Sequence, residues 1–250
     1  MTGAAGPPTL RALPPPFRLV ALDCIDSTND EARRAVGRGD GHGTVIWAAE
    51  QSAGRGRRGR TWVSPRGNLH CSLLLDAGPD LALAPQLVFV AAVAVRDALA
   101  ELAPAAAFQL KWPNDLLCGG RKIAGMLLEM AAPLVILGIG VDVALAPEQA
   151  LYPATCLARA GSSAEPFDVL AGICRQVDCW YDRWRNEGFD MVRQAWLAHA
   201  AGLGQPLKVA LPDDSVHQGR FIGLDAAGAL VLEEGDGRQT RILAGDVLAL

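Results

Sequence analysis

Apolar and polar positions alternate with two different periods along the chain, and the switches between them mark out its elements. Phe17 to Asp23 is rich in apolar residues and alternates, which predicts a first strand. Thr28-Asn29-Asp30-Glu31 has the spacing of a capping box, so a helix is expected from there to about Val36. Gly37 to Gly43 reads as a turn, and Thr44 to Ala49 as a second strand that delivers Glu50, Gln51 and Ser52 to an arginine-glycine segment. Asn68 to Asp76 reads as a third strand with Leu69, Cys71, Leu73 and Leu75 on one face. Pro85 suits the first turn of a long Ala/Val/Leu helix ending near Ala103. Phe108 to Trp112 is a strand running into Pro113-Asn114-Asp115. Leu116 to Cys118 then pairs through a Gly119-Gly120 turn with Lys122 to Met130. Leu134 to Val143 is apolar almost throughout, and Gly138 and Gly140 inside it predict close approach of a ligand or another backbone.

The period then changes. Leu170, Ile173, Val177, Trp180 and Trp184 follow helical spacing, which predicts a helix over Phe167 to Gly188 with its tryptophans in the core, and Asp190 to Ala201 reads as a second. From Pro206 short alternating segments are punctuated by Asp213-Asp214, Asp225 to Gly228 and Asp236-Gly237, the pattern of a small all-β module. The acid pairs Asp213-Asp214 and Glu233-Glu234 are expected in solvated turns. The whole reads as α+β: a mixed sheet with packed helices over residues 17–204, and a β module over 205–250. Residues 1–16, rich in Pro, Ala and Gly, are expected to form a disordered tail.

Composition narrows the function. Half of the 250 residues are hydrophobic and 20% are charged, as in an ordinary globular protein. The formal net charge of −4 argues against a general nucleic-acid binder, so any basic cluster is a local device. Six cysteines without a C-x-x-C pair, and four histidines that do not join them at ligand spacing, predict reduced thiols and no zinc site. No secretory signal is evident. The longest apolar runs are broken by Arg96, Asp97 and Glu101, or by Gly138, Gly140 and Asp142, so a cytoplasmic protein without a membrane span is expected.

The basic cluster is Gly54-Arg55-Gly56-Arg57-Arg58-Gly59-Arg60. Arginines between glycines cannot pack as a helix or strand, which predicts a mobile cationic loop. Main-chain N–H groups and guanidinium forks in such a loop can wrap a phosphate or carboxylate. A solvated basic loop, or an RNA-binding arginine-glycine segment, is the plainer reading of the heptad alone. Around it the pattern puts Ser27-Thr28-Asn29, Gln51, Lys111-Trp112-Pro113-Asn114-Asp115, Lys122 and the glycines before Asp142 at strand ends or loops of one sheet.

In that order and spacing these segments resemble the biotin protein ligases (biotin–[acetyl-CoA-carboxylase] ligases). The resemblance spans nearly the whole chain after residue 17 and implies the biotin/lipoate ligase-like fold with a C-terminal SH3-like barrel. Lipoate or octanoate ligases share that fold and are the rival enzymatic reading. The resemblance implies that biotin and ATP give biotinyl-AMP and pyrophosphate, and that a lysine of biotin carboxyl carrier protein then takes the biotinyl group. It implies biotin contacts from Ser27, Thr28, Asn29, Gln51, Gly54, Arg55, Gly56, Arg57, Trp62 and Lys111. ATP contacts are implied for Arg57, Arg58, Arg60, Trp62, Lys111, Asn114, Lys122 and Asp142, with Lys111 and Arg57 as the catalytic pair. Magnesium is implied with the nucleotide, without protein ligands that can be named, and a homodimer is compatible with the family. Two departures stand out. Sixteen proline-rich residues before the first strand do not encode the DNA-binding helix-turn-helix that many members carry, so no DNA binding is expected. Asp142 stands where the family pattern ends in asparagine.

Overall fold

A computed structural model describes residues 12–148 and 152–249. Strands β1 (Arg18–Ile25), β2 (Thr44–Gln51), β3 (Leu69–Asp76), β4 (Phe108–Lys111), β5 (Asp115–Cys118), β6 (Arg121–Ala131) and β7 (Leu134–Val141) form one sheet in the order β1-β2-β3-β7-β6-β5-β4. Only β1 and β2 run parallel; the other neighbours are antiparallel. Helix α1 (Thr28–Gly37) covers one face, where Ala32 and Ala35 meet Ile46, Leu74 and Ile136. Helices α2 (Leu87–Leu102), α3 (Pro166–Glu187) and α4 (Phe189–Ala198) cover the other. Because β3 is sandwiched, Leu69 to Leu75 are all buried rather than alternately so.

A second sheet of five antiparallel strands follows: β8 (Pro206–Ala210), β9 (Val216–Leu224), β10 (Leu230–Glu233), β11 (Gln239–Ile242) and β12 (Asp246–Ala249). It shares the main core. Phe221 packs against Trp196 of α4 with ring centroids 6.5 Å apart, and the Trp112 indole N–H donates to the Gly228 carbonyl at 3.1 Å. Its acid pairs sit in surface contacts: Asp213 accepts from Ser215, Glu233 pairs with Arg220 and Glu234 with Arg238.

Four expectations need correction. Residues 1–11 of the expected tail lie outside the described residues, but 12–16 are ordered enough for Leu13 to join the core beside Phe17, each 7% exposed. Hydrophobic burial overrides the proline-rich composition there. The capping box at Thr28 is absent: Ser27 is the N-cap, and Thr28 spends its hydroxyl elsewhere. Pro85 belongs to a 3-10 turn ahead of α2. Turn and helix together, Leu81–Leu102, are long and apolar enough to cross a membrane by length and composition, even with Arg96, Asp97 and Glu101 near the end. Its apolar side chains, Leu87 and Val90 to Val95 among them, are buried in this core, where the helix packs on α3.

Two positions of the fold fix the chemistry. Strand β4 is held on its outer edge, where the Leu110 N–H donates to His199 O and Leu110 O accepts from the Ala201 N–H, both at 2.8 Å. Lys111 is therefore anchored at both sides of its strand. In β7 the two glycines make room for side chains of this chain rather than for another backbone: a Cβ on Gly138 would overlap Asn29, and one on Gly140 would stand 2.5 Å from the Trp62 indole.

Candidate active site

A cleft of about 230 Å³ opens over β6 and β7, between the end of β2, the arginine loop and the start of β12. One end is a web of neutral hydrogen bonds. The Gln51 side-chain oxygen accepts from the Thr28 N–H at 2.7 Å and its hydroxyl at 3.1 Å, while the Gln51 amide donates to Ser64 Oγ at 2.8 Å. Ser72 Oγ lies 2.8 Å from Thr28 Oγ1 and 2.6 Å from Asn29 Oδ1. Ser27, Thr28 and Asn29 are buried here by the turn that joins β1 to α1. Preformed polar groups around a small pocket suit a ligand that presents both donors and acceptors.

The other end is ionic. The segment expected to be mobile is tied down: Arg55 and Thr61 bridge, the Gly56 N–H donates to Arg60 O at 2.7 Å, and Arg57 to Gly59 make a 3-10 turn with Arg58 at φ 55°. Arg57, Arg58 and Arg60 all reach one carboxylate of the second sheet, Asp246, at 3.4, 3.1 and 2.9 Å. Arg55 turns the other way, to Asp30 at 2.7 Å and Glu129 at 3.3 Å. Crowded guanidiniums need counter-charge, and acids remote in sequence supply it.

Between the two ends lie Lys111, Asn114, Lys122, Trp62 and Asp142. Lys111 is 9% exposed, with its ammonium 4.4 Å from the Tyr152 ring centroid; burial pulls its pKa below the usual lysine range against the opposing pull of Asp115. Lys122 pairs with Asp115 at 2.6 Å and stands 5.3 Å from the Trp62 ring centroid. Asn114 donates to Met126 O and accepts from Arg57 at 3.2 Å. Asp142 is 3% exposed, and burial pushes its pKa from 3.8 to about 7 although Lys122 opposes the shift.

The cleft thus gathers Ser27, Thr28, Asn29, Gln51, Arg55, Gly56, Arg57, Arg60, Trp62, Lys111, Asn114, Lys122 and Asp142. Gly54 and Arg58 do not line it. A side chain at Gly54 would overlap the Trp62 carbonyl and Ser64, so that glycine serves the turn, and Arg58 points to Asp246. Trp62 lies along the floor over Gly125 and Gly140 rather than across the opening. Sequence reasoning missed Ser72, Tyr152 and Asp246. A serine among the apolar residues of a central strand was a usable signal for Ser72. Asp246, 186 residues beyond Arg60, left none.

Known proteins resemble this chain in sequence and in fold. Residues 22–142 match the model of the biotin/lipoate A/B protein ligase family, and residues 202–248 that of the biotin protein ligase C-terminal domain. The chain is 40% identical to the biotin–[acetyl-CoA-carboxylase] ligase of Paracoccus denitrificans, over 86% of this chain and 93% of that one. Its fold superposes on the biotin protein ligase of Aquifex aeolicus in complex with biotin and ATP with a TM-score of 0.81 at 28% identity, covering 92% and 97% of the two chains. The Leishmania major ligase in complex with biotinyl-5-AMP gives a TM-score of 0.65 at 28% identity, with coverage of 92% and 100%.

Proposed function

The chain belongs to the biotin protein ligase family, and from that premise we propose that its cleft joins biotin to AMP and delivers the biotinyl group to a lysine of biotin carboxyl carrier protein. The observation that carries this reading is the juxtaposition, in one cleft, of a neutral hydrogen-bonding pocket and a cationic wall. In the first step a carboxylate oxygen attacks the α-phosphorus of ATP, an acyl–phosphate bond forms, and pyrophosphate leaves. In the second the carrier lysine's neutral amine attacks the acyl carbon, the amide forms, AMP leaves and the amine loses a proton.

The first step brings two anions together, so fixed positive charge in a poorly hydrated site is what accelerates it. Buried Lys111 at the end of a doubly anchored strand has the position for that role, and Arg57 lines the same cleft. Thr28, Gln51, Ser27 and Asn29 form the end for biotin's ureido ring. Asn114, Lys122 and Asp142 form the end for the nucleotide, while Arg57 and Arg60 meet its phosphates. For the arginines to do so they must exchange Asp246 for the ligand, which gives the C-terminal module its part in nucleotide handling.

A protein-held magnesium ion does not fit the donor set. Asp246 faces three arginines, Asp115 pairs with Lys122, Asp142 keeps one oxygen beside Asn68, and no cluster of three or more metal-ligating side chains occurs among the described residues. Magnesium would arrive on the ATP phosphates. The RNA-binding alternative is disfavoured by the formal net charge of −4 and by the match to biotin protein ligases along the chain.

The test is direct: incubate the protein with ATP, magnesium, biotin and a biotin carrier domain, and weigh the carrier. A gain of one biotinyl group that lipoate does not replace supports the reading; an unmodified carrier overturns it. Sedimentation with and without ligands distinguishes a monomer from the homodimer that the family resemblance allows.

A further inference from the structure

Asn68 lies within the matched residues 22–142 but outside the Ser27–Asn29, Gly54–Arg60 and Lys111–Asp115 segments. It stands at the entry to β3, 2% exposed, and makes five hydrogen bonds to one short stretch of chain. Its side-chain oxygen accepts from three consecutive N–H groups, Val143 at 3.0 Å, Ala144 at 3.1 Å and Leu145 at 3.0 Å. Its amide donates to Leu145 O at 2.8 Å and to Asp142 Oδ1 at 3.1 Å. Three converging N–H groups make a nest of the kind that holds an anion, and here a neutral amide oxygen fills it. The backbone reinforces the grip, since the Ala144 N–H also donates to Gly67 O at 3.3 Å, and Gly67 at φ +93° turns the chain for that approach.

The stretch so held lies between two residues that line the cleft beyond β7, Asp142 and Pro147. Asp142 is fixed from the backbone side as well, its N–H donating to Ile123 O and its carbonyl accepting from the Leu157 N–H, both at 2.8 Å. With Oδ1 engaged by Asn68, the second carboxyl oxygen is the one that can meet a ligand. Ionised, it is an acceptor suited to an amino or hydroxyl donor of a nucleoside; protonated, it can also donate.

We propose that Asn68 is a positioning residue for the nucleotide, holding the Asp142 carboxyl and the 143–145 backbone in the shape that receives ATP without itself touching it. This rests on the functional reading above and on Asp142 lying at the nucleotide end. Asn68 has no part in the hydrogen-bond web around Gln51, which holds the other end of the cleft. Its loss should therefore separate the two substrates.

The test uses Asn68→Ser, Asn68→Asp and the exchange Asn68→Asp with Asp142→Asn, in the full-length protein. Asn68→Ser removes the donor to Asp142. Asn68→Asp sets two carboxyl groups against each other, and the exchange restores an amide–carboxyl pair with the roles reversed. The readouts are KM for ATP and kcat in biotin-dependent pyrophosphate exchange at saturating biotin, the biotin Kd by calorimetry, and the melting temperature. In Asn68→Ser, KM for ATP is expected to rise about tenfold, the scale of one strong hydrogen bond, with the biotin Kd within about twofold of wild type. The exchange is expected to recover most of the ATP affinity that Asn68→Asp loses. A folded Asn68→Ser with unchanged KM for ATP, or one in which both substrate constants and the melting temperature worsen together, overturns the proposal. So does an exchange variant no better than Asn68→Ser, a comparison that stands even where Asn68→Asp fails to fold. Wild-type protein without biotin-dependent exchange would instead overturn the functional reading on which the proposal rests.

Discussion

The two ends of the cleft are built on opposite principles. The Thr28–Gln51–Ser64–Ser72 web is neutral, largely buried and drawn from the first 72 residues, tying the start of α1, the end of β2, the loop at Ser64 and strand β3 together. The arginine end is charged and half-exposed, and it is completed by Asp246 from the other end of the chain. A buried neutral web is costly to leave unmade, so it is fixed before the ligand arrives. Ion pairs with one foot in water are individually worth little, so a polyphosphate can replace Asp246 cheaply. One end is preorganised and the other is exchangeable, which suits a site that must hold an intermediate yet release pyrophosphate and AMP.

The largest expected effect lies where the ends meet. Lys111→Ala should lower biotin-dependent pyrophosphate exchange by about two to three orders of magnitude, the scale of losing a fixed charge at a developing anionic centre. Lys111→Arg should fail too, because a planar fork does not fit the place of a compact ammonium under Tyr152. Exchange near the wild-type rate in either variant would remove Lys111 from the chemistry. Next comes the preorganised end. Gln51→Ala strands the Thr28 N–H and should cost about 1–3 kcal/mol of stability along with most of the biotin affinity. Thermal melts and biotin calorimetry on the same variant check it, and intact affinity would show that the web is only structural.

How much of this was legible in the sequence follows the same division. Apolar runs bounded by turn residues predicted β2, β3 and the β5–β6 hairpin within a residue or two, because that signal is carried inside each segment whatever strand it pairs with. The helical spacing of Leu170 to Trp184 correctly put both tryptophans in the core, where their indoles donate to Asp97 and Gln86. The Thr28 capping box failed because Gln51, 23 residues on, competes for the same hydroxyl. A mobile loop was expected because the sequence displays four arginines and not the acids that meet them in space. The glycines of β7 were rightly read as sites of close approach, but what approaches, Asn29 and Trp62, depends on tertiary structure.

A smaller effect separates stability from pH. Asp142 has a folded pKa of about 7 against an ordinary 3.8, so the native state holds its proton more tightly than the unfolded chain does. Stability is therefore expected to fall as pH rises between those values and then to level off. Asp142→Asn keeps an acceptor for Asn68 and removes the ionisation. It should match wild type near pH 4 and exceed it by about 1–3 kcal/mol at pH 8. Denaturant melts at the two pH values check this; a variant less stable at pH 8 would mean that the charge itself is favourably paired.

The smallest effect is at the exchangeable end. Asp246→Asn should change stability by less than about 1 kcal/mol and lower KM for ATP by a few-fold, since the arginines no longer have a competing carboxylate. Exchange kinetics across a salt series read it, and a raised KM would mean that Asp246 supports the nucleotide instead of yielding to it.

The division between a fixed and an exchangeable end is tested most directly by a crystal structure of this protein with a non-hydrolysable biotinyl-adenylate analogue. The expected structure keeps the Gln51 contacts to Thr28 and Ser64 at their present 2.7–2.8 Å while Arg57 and Arg60 leave Asp246 for the phosphate. A structure in which both arginines stay on Asp246 and the Gln51 web rearranges around the ligand would contradict it.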